Sequence, residues 1–356
     1  MHTWSKAIWA KDAPSPAETM SSRERVRRAL TFQRPDRAPR DLWMLGTIPK
    51  YRRAELDAVL QRFPSDFVGT PVKWGESAVA DGVIGDVGFY TDEWGSVWEV
   101  LEEGVCGEVK KPVLDDWSRL RSFAPPYELL DGIDLSRSYD FYAQTDRFVM
   151  AYSSVQPWQR LIFLRGFANL MIDLAEEREE LLTLIRLIHE YYVRELSLLA
   201  PVAADAIQFK DDWGTQTNLF ISPAQWRRLF KPLYAEYCRI IHAAGKFVFF
   251  HSDGQIASIY PDLIEVGIDA INSQLFCMDI EALAAKHRGK ITFWGEIDRQ
   301  YALAFGSPDD VRAAVRRVRR ALDDGQGGVI AQCEWGNDTP RANVEAVFEA
   351  WLEPLG

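Results

Sequence analysis

The chain has 356 residues, 47% of them apolar and 26% charged, a globular composition with room for one large domain or two ordinary ones. A formal net charge of -11 argues against a nucleic-acid or anionic-membrane surface, because binding phosphates takes clustered Lys and Arg. No run of about 18 apolar residues occurs, so no helix should span a bilayer.

The four cysteines, Cys106, Cys238, Cys277 and Cys333, are scattered and form no CxxC pair. With no apolar signal core at the N-terminus, this points to a reducing cytoplasm. Residues 1–20, rich in Ala, Pro and Ser, are expected as a disordered tail, leaving 21–356 as one domain. Ser21 and Glu24 have the spacing of a capping box ahead of a short helix ending near Phe32. Pro35 and Pro39 break that helix, and Arg40–Trp43 is the first strand candidate. Residues 85–113 hold short β-like pieces between glycines and suggest a hairpin excursion. Within it, Asp92-Glu93-Trp94-Gly95 fits either a hairpin turn or a lid. Residues 115–147 support no assignment.

From about residue 148 the pattern becomes regular. Phe148–Tyr152 precedes helices near 157–175 and 178–200, and Ala206–Phe209 precedes a helix opening at Ser222-Pro223 and running to Ala244. Lys246–Phe250, Asp269–Ile271, Ile291–Trp294 and Gly328–Ala331 follow as strands. The helices expected after them are Ile256–Val266, 280–287, 308–322 and 341–352. Alternating strands and helices mean a parallel sheet covered by helices. Runs such as Phe247-Val248-Phe249-Phe250 are too apolar for a sheet with one wet face. No glycine-rich dinucleotide fingerprint follows any strand. Roughly eight strands fit, so the fold class is α/β, a (β/α)8 TIM barrel with an N-terminal helical extension and a β-hairpin excursion.

Four strand ends carry chemistry: Lys210-Asp211-Asp212-Trp213-Gly214, His251-Ser252-Asp253-Gly254, Gly295-Glu296-Ile297-Asp298, and Gln332-Cys333-Glu334-Trp335-Gly336. In a barrel these ends form one face, which carries the active site. Each includes a carboxylate, and like charges repel unless a cation or proton holds them. A His, a thiolate and one or two carboxylates suit Zn²⁺ with an open position for substrate. The bland alternative stays open at this point: His251 capping its strand, Cys333 buried as a small apolar residue, and the acids bonding loop amides. Cys106, Cys238 and Cys277 have no His or acidic motif around them and read as structural.

Several segments together resemble the uroporphyrinogen decarboxylase superfamily. They are Arg23-Glu24-Arg25-Val26, Pro35-Asp36-Arg37-Ala38-Pro39, the stretch from Lys210 to Gln216, Ser222-Pro223, Lys231-Pro232, His251-Ser252-Asp253-Gly254, Phe293-Trp294-Gly295-Glu296-Ile297-Asp298 and Thr339-Pro340-Arg341-Ala342-Asn343. The resemblance covers about residues 21 to 352 and implies the barrel independently of the strand count. True decarboxylases of the superfamily act on porphyrinogens without a cofactor and carry an Arg-containing segment after the first strand. Here Gly46-Thr47 stands where that arginine belongs, and fork-like Arg contacts are the natural grip on several carboxylates.

The cobalamin:thiol methyltransferase-like branch is nearer. Its zinc is held by a His-x-Cys pair and a late Cys, which match His251 and Cys333, while Asp253 stands at the middle position. The resemblance thus implies a zinc-dependent methyltransferase moving a methyl group between a small substrate and a corrinoid carried by a partner protein. His251, Asp253 and Cys333 would be ligands, with Glu296 as the fourth. Asp298, Asp211 and Asp212 would be catalytic, and Trp43, Tyr152, Trp213, Gln216 and Trp294 would line the substrate. The rivals are a cofactor-free decarboxylase and a non-catalytic tetrapyrrole- or corrinoid-binding barrel. Superfamily members often pair, and exposed aromatics would allow a homodimer.

Overall fold

A computed structural model describes residues 18–105 and 107–354. Its strands in chain order are β1 (Arg40–Met44), β2 (Phe67–Gly69), β3 (Gly88–Thr91), β4 (Val97–Val100), β5 (Glu108–Lys111), β6 (Phe148–Tyr152), β7 (Ala206–Lys210), β8 (Phe247–Ser252), β9 (Ala270–Ser273), β10 (Thr292–Trp294) and β11 (Val329–Trp335). Eight of them form one parallel sheet in the order β1-β11-β10-β9-β8-β7-β6-β2. Between its two ends the Asp66 amide donates to the Arg40 carbonyl at 2.8 Å, so the sheet curls into a nearly closed (β/α)8 barrel.

Both faces of this sheet are apolar, which is why its strands read as continuous hydrophobic runs. The inner face holds Phe67, Phe148, Met150, Ala206, Phe249, Ala270, Trp294 and Ile330. The outer face packs Ile207, Phe209, Val248, Phe250, Ile271, Phe293, Ala331 and Cys333 against the helices. The helix Ser22–Leu30 turns Val26 and Leu30 into the inner cluster and plugs the N-terminal end. Ser21 caps it by accepting from the Glu24 amide, while the Glu24 carboxylate pairs with Arg28 rather than closing the box.

Most expected elements are present within a few residues. The helix expected from Ser222 to Ala244 is two, Pro223–Leu229 and Lys231–Ala243. No expectation covered β2, which is only three residues long. The excursion is an antiparallel sheet in the order β3-β4-β5. Its Asp92–Gly95 segment is a turn and not a lid: Asp92 accepts from the Trp94 and Ser96 amides and the Trp98 indole, and Trp94 is buried edge-on against Tyr191.

The expected tail lies mostly outside the described residues, but 18–20 are held. Glu18 pairs with Arg37 and Arg40, and the Thr19 and Met20 amides donate to Asp36. With Arg25 and Asp66 these charges line a cavity of about 1270 Å³ at the N-terminal end, away from the strand ends that carry the chemistry. Cys106 also lies outside the described residues. Among the described residues no helix is long and apolar enough to cross a membrane.

Candidate active site

The C-terminal strand ends meet around His251, the last inward-facing residue of β8. Its Nε2 lies 3.5 Å from Asp212 Oδ1 and 3.6 Å from Asp253 Oδ1. One ligand atom from each of the three lies within 4.8 Å of the others. Asp212, in the loop after β7, is held in place: its Oδ1 accepts from the Asp253 amide at 2.9 Å and its Oδ2 from Gln159 Nε2 at 2.6 Å. Asp253 Oδ1 is buried and has no hydrogen-bond partner. A buried acceptor without a partner costs free energy, and the nearest polar group facing this one is His251 Nε2.

The other side of the imidazole is equally specified. Nδ1 lies 2.7 Å from Asn272 Oδ1, and Asn272 Nδ2 donates to the Trp294 carbonyl at 2.6 Å. The Trp43 ring leans on the imidazole with 5.4 Å between centroids. Trp43 and Trp294 both donate their indole N–H to Asp41 Oδ2, at 2.9 and 2.8 Å. Burial pushes the Asp41 carboxyl up to about 7 against those two bonds.

Arg299 organises the remaining acids. It pairs with Asp253, with Glu334 at 2.6 Å, and through Nε with Glu296 Oε1 at 3.3 Å. Glu296 is almost fully buried, and burial holds its carboxyl well above the usual range. Arg299 opposes that shift, while Asp253 and Glu334 add to it.

The expected site residues separate into two groups. His251, Asp253, Glu296 and Asp212 share the mouth, with Trp43 beside them and Tyr152, half exposed at the end of β6, over Gly69. Cys333 does not join them. It belongs to the outer core, beside Leu42 on β1, and burial pushes its thiol up, away from thiolate. The alternation of the strand is the reason: Glu334, paired in register with inward-facing Trp43, takes the mouth side, so Cys333 faces the helices.

Asp211 is also turned away. It accepts from the Trp158 and Gln159 amides and from Tyr234 Oη, each at 2.8 Å, capping the helix Pro157–Arg165. Trp213 is fully buried, stacked on Trp158 with its indole N–H on Tyr234 Oη, and so lines no substrate. Trp294 is buried beneath Trp43 as floor. Asp298 accepts from the Gln300 and Tyr301 amides in a turn. Gln216 is exposed and accepts from the Cys277 thiol at 3.2 Å. Arg299 and Asn272 were missed by the sequence reading. The signals were there: Arg299 is one residue beyond the Glu296-Ile297-Asp298 motif, and Asn272 is a polar residue inside a buried strand.

A family model described as uroporphyrinogen decarboxylase (URO-D) matches residues 101–353, well over half the chain. The chain belongs to the uroporphyrinogen decarboxylase family. Among solved structures, this family member is similar to a methyltransferase from Methanosarcina mazei. The two are 14% identical with a TM-score of 0.67, over 94% of this chain and 98% of that one. A likeness at that identity speaks for the fold. An endo-beta-1,4-xylanase of glycoside hydrolase family 10 from Gloeophyllum trabeum is more distant, with 9% identity, a TM-score of 0.40, and coverage of 63% of this chain and 82% of that one. No curated protein matches the sequence.

Proposed function

We propose that this URO-D family protein is a metal-dependent methyltransferase, with the ion held by Asp212, His251 and Asp253. The observation that carries the reading is the approach of His251 Nε2 to two carboxylate oxygens at 3.5 and 3.6 Å, one of them buried without a hydrogen-bond partner. Those separations are too long for hydrogen bonds. They suit three ligands of one ion, since tetrahedral bonds of about 2.1 Å place donor atoms about 3.4 Å apart.

Two carboxylates and one imidazole form a harder donor set than the expected His, Asp and Cys. Zinc fits it, with more Lewis-acid character than a thiolate-rich site would give. Bound there, the ion would polarise the heteroatom that gives or accepts the methyl group. Glu296, whose carboxyl burial holds above the usual range beside this set, would serve as the group that passes a proton to a departing heteroatom. Trp43 and Tyr152 offer aromatic surface for a small substrate, and a corrinoid on a partner protein is the proposed second reactant.

The decarboxylase reading has less support. A porphyrinogen carries several carboxylates, whereas the described charges around His251 are mainly acids, and Arg299 is already engaged by three of them. The experiment is elemental analysis of the purified protein together with turnover of methylcobalamin against small thiols and amines. Zinc at one equivalent, and methyl transfer lost in D253A, are expected. Metal-free protein that releases CO₂ from a carboxylated substrate would replace this reading with the decarboxylase.

A further inference from the structure

Resting on the metal reading above, we infer that Asn272 is a positioning residue. It fixes the His251 imidazole as the Nδ1–H tautomer, so that Nε2 turns its lone pair to the gap between Asp212 and Asp253. The assignment follows from what each atom can do. The Trp294 carbonyl only accepts, so the Asn272 atom 2.6 Å from it must be the NH₂. The other end of the amide, 2.7 Å from His251 Nδ1, is then the oxygen. An amide oxygen only accepts, so Nδ1 must carry the proton. A flipped amide would set oxygen against oxygen at one end and NH₂ against Nδ1 at the other.

The arrangement runs through three neighbouring strands. His251 on β8 and Asn272 on β9 are register partners, and the accepting carbonyl belongs to the last residue of β10. Asn272 is completely buried, so water does not compete for its oxygen. Trp43 leans on the ring from β1 and restrains it. Outer hydrogen-bond partners of this kind set the tautomer and orientation of a ligating histidine. The second hydrogen bond of the amide, to the Trp294 carbonyl, leaves its oxygen no orientation other than towards His251.

The test is long-range ¹H–¹⁵N NMR of the metal-free, full-length protein labelled at histidine, at a pH where the ring is neutral. The His251 signals are identified by their loss in H251Q. Wild type should show Nδ1–H with a bare Nε2. N272A, which removes the acceptor, should give a mixture. If N272A does not fold, the nearly isosteric N272L takes its place. In parallel, zinc affinity measured against a chromophoric chelator should fall ten- to a hundredfold in N272A. An Nε2–H ring in wild type, or an unchanged tautomer in a folded variant without the acceptor, would overturn the inference. Wild type that binds no zinc would sink the metal reading instead, and the NMR result would still decide the role of Asn272.

Discussion

Glu334 looks into the barrel mouth while Cys333, one residue earlier on the same strand, looks out at the helices. The side chain of Glu334 reaches Arg299, and the thiol of Cys333 sits in a fully buried apolar layer. C333A should therefore leave zinc stoichiometry and affinity unchanged and lower stability by about 1 kcal/mol, the cost of a small cavity. Elemental analysis and a denaturant titration check both halves. Zinc lost from a folded C333A would mean that the thiol reaches the mouth after all.

The ligand set makes a sharper demand on Asp212. D212N keeps the shape, and its carbonyl can still accept from the Asp253 amide, but it removes the charge that faces His251. Zinc affinity should fall by more than the ten- to hundredfold that loss of an outer hydrogen-bond partner costs. The neighbouring D211N should instead lower stability and leave affinity alone, because Asp211 caps a helix. Equal affinities for wild type and D212N would remove Asp212 from the ligands.

This pair of aspartates shows what the sequence could and could not reveal. The alternation from Phe148 onward marks strands, helices and the barrel, because each element carries its own apolar period. It also marks the strand ends, hence His251, Asp253 and Glu296. It does not tell Asp211 from Asp212, or Cys333 from Glu334. In a parallel strand buried on both faces, Val329, Ile330 and Ala331 are all apolar, so the period of two that would orient the next residues is hidden. The tight turn after β10 brings Arg299 onto Glu296 of the same turn, Asp253 of the loop after β8 and Glu334 at the end of β11, and the last two contacts exist only once the barrel has formed.

Arg299 should accordingly behave as the hinge of the acidic cluster. R299A leaves Asp253, Glu296 and Glu334 facing one another without a cation, and should cost about 3 kcal/mol of stability at neutral pH. Adding E296Q removes the buried carboxyl from that cluster and should recover a good part of the loss. Urea titrations of the two single variants and the double variant give the coupling. A double variant no better than the sum of the singles would show that the three acids do not interact through Arg299.

Stability should also depend on pH in a defined direction. Burial raises Asp41, Glu195 and Asp211 to about 7, against about 4 for the same groups in an unfolded chain. A group whose folded value is raised binds its proton more tightly when folded, so its contribution is complete below the unfolded value and is lost as pH rises through about 7. Asp66, Asp36 and Glu18, held low by Arg25 and Arg37 despite burial, act in the opposite sense and lose their contribution at acid pH. The urea midpoint of the metal-free protein should therefore be highest near pH 4, decline between about pH 4 and pH 7, and level off above that. D41N, which cannot ionise between its two indole partners, should make the decline between about pH 4 and pH 7 shallower. A midpoint that climbs steadily from pH 5 to pH 8 would mean that the three buried carboxyls are ionised in the folded protein throughout.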